Sequence, residues 1–199
     1  PSGSCAANVW SHLPELVGSE RARTTATRMR ELCEFLLETK AFARFPGRFA
    51  RRVGLHASCH ALRELDHGTP SESRGPIRVD PARALLERVD GLELVTPSRR
   101  DECCGFGGLF AVEEEAVSCR MGEDRVADHA AAGAEVVTST DVSCLLQLEG
   151  VARRRSLPLE FRHVAEILAD CLDEATESSD APGPSRAGFA EPAERAHGP

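Results

Sequence analysis

Residues 135–144, EVVTSTDVSC, combine a strand, a polar turn and a cysteine at the start of a helix. The apolar residues of 135–138 are typical of a short buried strand, and the turn from Ser139 to Ser143 leads into a helical pattern that starts near Cys144. Asp141 is placed to cap that helix from just before its start. This segment predicts a strand whose carboxyl end delivers a thiol.

Two upstream stretches also place cysteine in a turn directly after a predicted strand. Residues 52–60, RVGLHASCH, place Cys59 after a short strand, and residues 92–108, LELVTPSRRDECCGFGG, place Cys103 and Cys104 after another. Strands that alternate with helices are joined by right-handed crossovers and form a mainly parallel sheet. The sequence therefore predicts an α/β fold with flanking helices.

Such a sheet brings distant thiols together. The carboxyl ends of parallel strands meet at one edge, where open α/β sheets bind their ligands. We therefore expect Cys59, Cys103, Cys104 and Cys144 to meet at that edge. Residues 1–172 are predicted to form the cysteine-rich domain, and residues 173–199, rich in Ser, Pro, Ala, Gly and Glu, a disordered tail. The predicted helices span residues 19–40, 81–89, 111–132 and 163–172.

Composition limits the class of protein. A chain of 199 residues with 41% hydrophobic and 28% charged residues is typical of one globular domain. The net charge of −8 argues against a nucleic-acid partner. The sequence contains neither an apolar run of the roughly 20 residues that a membrane span needs nor a secretion signal. We expect a cytoplasmic protein, in which cysteines serve as ligands or redox centres more often than as disulfides.

Adjacent cysteines favour a cluster over a single ion. Cys103 and Cys104 point in different directions, so each thiolate can reach a different metal of a multi-iron cluster. Gly105 and Gly107 let the backbone pass close to the metal and offer N–H groups to sulfur. Three alternatives stay open: a zinc site, a disulfide framework and four unrelated buried thiols. Zinc usually uses C-x₂₋₄-C pairs, and the sequence has none.

Other residues receive weaker assignments. Cys33, Cys119 and Cys171 lie on helical apolar stripes, which predicts packing roles, because a buried free cysteine behaves as a small hydrophobe. His56 and His60 flank Cys59, and each is a candidate ligand, hydrogen-bond donor to sulfur or proton relay.

Cys5 lies in a possible second copy of the cysteine motif. Residues 1–5, PSGSC, precede an apolar helix as residues 140–144 do. We therefore expect Cys5 to close an earlier copy of the motif and to be a possible further ligand, and we expect the chain, which begins with Pro1, to lack the start of that copy.

At these motifs the chain resembles the cysteine-rich CCG family. That family includes the heterodisulfide reductase B subunit, iron–sulfur subunits of glycolate and anaerobic glycerol-3-phosphate dehydrogenases, and the lactate-utilisation protein A group. The resemblance covers residues 1–172 and is strongest to the last group, in the order PSGSC (1–5), HASCHALR (56–63), CCGFGGLF (103–110), DVSCLLQ (141–147) and HVAEIL (163–168).

The resemblance implies a [4Fe–4S] cluster, cubane or noncubane, on Cys59, Cys103, Cys104 and Cys144. Gln147 stands where other family members have a final cysteine, which agrees with the lactate-utilisation group and argues against noncubane ligation. The implied function is that of an iron–sulfur redox subunit that acts with partner subunits in the oxidation of a 2-hydroxy acid, L-lactate to pyruvate. Heterodisulfide reductase-like thiol chemistry and a structural zinc protein without redox activity are the alternatives.

Overall fold

The computed structural model describes residues 2–39 and 45–178, the last six of these by their backbone alone. It has an α/β fold built on one sheet of four parallel strands in the order β2-β1-β3-β4. The strands are β1 (Arg52–Leu55), β2 (Glu93–Val95), β3 (Val136–Ser139) and β4 (Glu160–His163). The predicted fold class is therefore confirmed.

Helices flank both faces of the sheet. Residues Asn8–His12 form a π-helical segment between the first two α-helices. Within the described residues the α-helices are α1 (Gly3–Ala7), α2 (Leu13–Val17), α3 (Glu20–Arg28), α4 (Leu32–Glu38), α5 (Cys59–Arg63), α6 (Pro81–Leu86), α7 (Phe110–Glu113), α8 (Glu115–Ala131), α9 (Val142–Arg154) and α10 (Val164–Ser178). None of them combines the length and apolar character required to cross a bilayer.

Each face of the sheet has its own core, because neighbouring side chains of a strand point to opposite faces. Val136 packs on the first face with residues of α4, α6 and α10, including the fully buried Cys33 and Cys171. Val137 packs on the second face with residues of α8 and α9. The packing roles predicted for Cys33 and Cys171 are confirmed.

The order in which strands are added to the sheet changes sides between β1 and β3: β2 lies on one side of β1, whereas β3 and β4 lie on the other. The connection from β1 to β2 runs through α6 on the first face, whereas the connections β2 to β3 and β3 to β4 run through α8 and α9 on the second. The segments that leave β1 and β3 at their carboxyl ends therefore diverge and leave a crevice between them. In doubly wound sheets this switch point is where ligands bind.

Several elements differ from the sequence-based expectation. Strand β4 was not predicted, and it begins before the expected helix at 163. The helix expected over 111–132 breaks at Glu114, whose φ of −120° and ψ of 47° lie outside the helical region. The helix expected over 19–40 is interrupted between α3 and α4 by extended backbone at Met29 and Glu31. Helix α10 continues to Ser178, and the rest of the predicted tail, 179–199, lies outside the described residues.

The packing role predicted for Cys119 is wrong. Cys119 is only half-buried, and Val112 and Ala116, its expected partners on a buried stripe, are exposed. The break at Glu114 separates Val112 from the helix that carries Cys119, so the three residues do not form one buried face. Cys119 instead lines a groove of about 400 Å³ between α8 and α9.

Candidate functional site

Cys59 and Cys144 each start a helix at the switch point. Cys59 is the first residue of α5, and the Ser58 hydroxyl caps this helix by accepting the Ala61 N–H at 3.3 Å. Cys144 lies in the first turn of α9, where the Asp141 carboxylate accepts the Ser143 N–H at 3.3 Å. The predicted cap at Asp141 is thereby confirmed. Capping determines where each helix begins, and so it positions both thiols over the crevice.

Cys103 and Cys104 reach the crevice from the loop after β2. The Gly105 N–H points to Cys103 Sγ at 3.4 Å, and the Phe106 N–H to Cys104 Sγ at 3.5 Å. Gly105 has a φ of +85°, and a Cβ there would lie 2.5 Å from the Ser118 carbonyl oxygen of α8. The glycine is thus needed for close packing of the loop on α8, in addition to the N–H that it offers to sulfur.

The four thiols form one connected group. The Cys104 and Cys144 sulfurs lie within 4.8 Å of each other, and side-chain interactions link Cys59 to Cys103 and Cys103 to Cys104. Hydrogen bonds from Cys104 and Cys59 hold the pKa of Cys103 far below its usual range, whereas those same bonds raise the pKa of Cys59 and Cys104. The arrangement therefore stabilises one thiolate readily, and a cation is needed to hold several.

Burial is graded across this group. Cys104 and Cys144 are buried, at 2% and 7% exposure, whereas Cys59 and Cys103 are half-buried. Four converging soft donors with N–H groups aimed at two of the sulfurs suit an iron–sulfur cluster, since such donors hold thiolate charge in a partly dry site. The residues present therefore fit the cofactor that the sequence implied.

His56 lies beneath the thiols. It is buried, and one of its ring nitrogens lies within 4.8 Å of the Cys104 and Cys144 sulfurs. Its Nδ1 accepts a hydrogen bond from Arg125 Nε at 3.1 Å. Burial, together with the charge of Arg125, lowers the pKa of His56 to about 3, so the ring is neutral.

Sequence reasoning missed a buried polar group on α8. Arg125 and His129 are fully buried, and His129 packs edge-on against the His56 ring at 6.3 Å between centroids. The Asp128 carboxylate accepts the N–H groups of Ser98 at 2.9 Å and Arg99 at 3.0 Å, which ties the cysteine loop to α8. The only sequence signal that could have grouped Arg125, Asp128 and His129 is their helical spacing of three and four residues.

The remaining candidate residues occupy the rim or lie outside the group. His60 is exposed, with Nδ1 3.7 Å from Cys59 Sγ. The Gly107 carbonyl accepts the Phe110 N–H at 3.3 Å at the start of α7. Gln147 donates to the Ser118 hydroxyl at 3.0 Å and so joins α9 to α8. Cys5 is exposed on α1, and its role as a ligand stays a prediction.

Helix α1 docks beside the crevice. The Gly3 N–H donates to the Thr140 carbonyl at 3.1 Å, and the Ser4 N–H donates to Asp141 Oδ2 at 2.8 Å. Hydrogen bonds from Ser143 and Ser4 hold the pKa of the Asp141 carboxyl low despite its burial. One carboxylate therefore joins the N-terminal segment to the helix that carries Cys144.

The geometry agrees with comparisons to known proteins. Residues 53–149 match the CCG cysteine-rich domain family. Lactate utilization protein A of Shouchella clausii (strain KSM-K16) is 33% identical over 173 residues, which cover 84% of this chain and 67% of that protein. Lactate utilization protein A of Macrococcus caseolyticus (strain JCSC5402) is 32% identical over 181 residues, which cover 88% of this chain and 69% of that protein.

These alignments span nearly the whole described domain but only about two thirds of each relative. The matched CCG segment runs from β1 into α9 and contains all four thiols of the switch-point crevice. The chain therefore belongs to the lactate utilization protein A family of CCG cysteine-rich proteins.

Proposed function

We propose that this protein is an iron–sulfur redox subunit that takes part in the oxidation of L-lactate to pyruvate. The observation that carries the proposal is the convergence of Cys59, Cys103, Cys104 and Cys144 at the switch point of the sheet. Four thiols from three separate loops are costly to bring together unless they share a ligand, because like charges develop as they ionise.

The four cysteines would hold a [4Fe–4S] cluster, and such a cluster supplies one-electron transfer when bound. Cys104 and Cys144 would hold it from the buried side, where the apolar residues of α9 exclude water. Cys59 and Cys103, which are half-buried, would hold it from the open side and leave it accessible to a partner. The N–H groups of Gly105 and Phe106 orient two sulfurs and offset thiolate charge.

The substrate assignment comes from the family. The relatives are named for lactate utilization, and this chain shares most of its length with them. We infer that it works in the cytoplasm with other redox subunits, because electrons leaving a 2-hydroxy acid need an acceptor beyond one metal centre. The alternative of heterodisulfide reductase-like chemistry would use the same four thiols.

One observation favours a structural zinc site as the second candidate. His56, Cys104 and Cys144 place donor atoms within 4.8 Å of one another, a separation suited to one tetrahedral ion. A zinc protein would be colourless and would contain no acid-labile sulfide.

Anaerobic reconstitution with ferrous iron and sulfide distinguishes the two candidates. We expect a brown protein with about four irons and four sulfides per chain. Cys59→Ala, Cys104→Ala and Cys144→Ala should each lose most of that iron, whereas the control Cys119→Ala should keep it. Preferential binding of one zinc, or unchanged iron in the three variants, would contradict the cluster assignment.

The lactate assignment needs a separate test in the host. Deletion of the gene should abolish growth on L-lactate but not on glucose, and only a gene with all four cysteines should restore it. Normal growth of the deletion strain on L-lactate would remove the substrate assignment and leave the cluster assignment unaffected.

A further inference from the structure

We propose that Arg125 holds the ring proton of His56 on Nε2, so that His56 is not a metal ligand and its Nε2–H is available to donate to cysteine sulfur of the bound metal centre. Arg125 is thus a positioning residue for the metal centre. The effect on the cluster rests on the proposed function, whereas the position of the proton does not.

Arg125 is locked in place by partners on several sides. Its side chain is fully buried on α8. Besides His56, its guanidinium donates to the carbonyls of Arg99 at 2.5 Å and Arg100 at 3.2 Å, and it lies 3.3 Å from the Asp128 carboxylate. A planar fork with this many fixed acceptors cannot rotate away without leaving buried polar atoms unpaired. The Arg125 Nε–H that points at His56 is therefore a permanent feature of the site.

A guanidinium only donates, so its partner must accept. Arg125 Nε lies 3.1 Å from His56 Nδ1, which means that Nδ1 offers a lone pair and carries no proton. A neutral imidazole has one proton, and in His56 it must then sit on Nε2. Double protonation is excluded by the same contact.

Nε2 is buried and has no hydrogen-bond partner, sulfur included, among the residues that the structure describes. The Cys104 and Cys144 sulfurs lie within 4.8 Å of a ring nitrogen, and the His129 ring lies 6.3 Å from the His56 ring between centroids. A buried N–H left unpaired destabilises a protein, whereas an N–H beside a thiolate forms a charge-assisted bond. The unpaired Nε2–H is therefore available to a neighbouring cysteine sulfur that becomes anionic when a metal centre binds.

Neither ring nitrogen of His56 is free to bind a metal. Nδ1 is occupied by Arg125, and Nε2 carries the proton. Ligation through Nε2 would move the proton to Nδ1, where it would face the Arg125 N–H, donor against donor. Arg125 therefore removes the histidine that a Cys₂His zinc site would need and leaves a set of thiolates.

Nuclear magnetic resonance of the reduced, metal-free protein labelled with ¹⁵N-histidine tests the position of the proton. We expect His56 to show one protonated and one unprotonated nitrogen, with the proton assigned to Nε2 by its couplings to both ring carbons' hydrogens. In Arg125→Met the Nδ1–H form should appear, whereas the control Arg120→Met, on the exposed side of α8, should leave the pattern unchanged. A proton on Nδ1 in the wild-type protein would overturn the proposal.

The reduction potential of the reconstituted protein tests the donated bond. Hydrogen bonds to cluster sulfur raise the potential, because they stabilise the more negative reduced state. His56→Phe should therefore lower the potential, and His56→Gln, whose amide keeps an N–H donor, should restore much of it. Both variants should retain full iron content. Loss of iron from His56→Gln would show that His56 is a ligand, and equal potentials in all three proteins would refute the donated bond. Should a variant fail to fold, the wild-type proton position still decides the proposal.

Discussion

Substitution of Gly105 by alanine should destabilise the protein through two separable effects. The φ of +85° costs a residue with a Cβ about 1–2 kcal/mol. The new Cβ would lie 2.5 Å from the Ser118 carbonyl oxygen and 2.9 Å from Met121 Cβ, and such overpacking typically costs a further ~1–3 kcal/mol. The sum is about 2–5 kcal/mol, a large part of the ~5–15 kcal/mol by which a domain is stable.

Two other glycines separate these effects. Gly108 has a φ of +62° with no atom near a built Cβ, so Gly108→Ala should show the backbone cost alone, about 1–2 kcal/mol. Gly150 lies inside α9 with open space around it, so Gly150→Ala should stabilise the protein by about 0.5–1 kcal/mol.

Urea unfolding of the metal-free proteins measures all three changes, and reconstitution measures their effect on the site. We expect Gly105→Ala to lose iron as well as stability, because the loop that it displaces carries Cys103 and Cys104. The reasoning would be refuted if Gly105→Ala were no less stable than Gly108→Ala, or if it bound full iron with unchanged affinity.

Three further outcomes are expected. Asp141→Ala should lower the free energy of unfolding by about 2–4 kcal/mol, since it removes a helix cap and a charge-assisted bond to α1, and Asp141→Asn should cost less; urea unfolding decides the order. Burial lowers the pKa of His129 to about 2, below its unfolded value, so protonation favours the unfolded state and stability is lost as the pH falls below about 6.5. His129→Leu should remove about 2 kcal/mol of the change in unfolding free energy between about pH 7 and pH 5, and an unchanged pH profile would contradict a buried neutral ring. In the metal-free protein Cys103 should be alkylated first at neutral pH, while Cys33 stays protected until unfolding; peptide mapping that finds Cys33 labelled in the folded chain would contradict its burial.

The sequence predicted most of the fold because its strands are short apolar runs followed by cysteine turns. Strand β4 was not predicted because Glu160 and Arg162 alternate with Phe161 in an edge strand, where half-exposed charged side chains weaken the strand pattern. The break at Glu114 was not predicted because the surrounding residues have good helix propensity. Local pattern therefore succeeds where burial is regular and fails where tertiary contacts decide the backbone.

The thiols of the candidate site could be predicted from motif spacing, whereas the polar group under them could not. Arg125 and His129 lie on a helix whose sequence resembles a solvated surface helix, since charged residues are rarely buried without partners. Arg125 donates to two loop carbonyls and to His56, and His129 packs against the His56 ring, so these partners come from other parts of the chain. Only the folded structure brings those acceptors to α8.

The strand order has a consequence for biosynthesis. Strand β3 pairs with β1 although more than 80 residues separate Val53 from Val136, and β3 brings Cys144 beside Cys59. On the ribosome the first three thiols emerge well before the fourth, and long-range parallel pairing is slow because its loop must close first. A metal centre at this crevice can therefore be completed only after β3 has joined the sheet, so cofactor insertion would depend on delivery to a domain whose sheet has already formed.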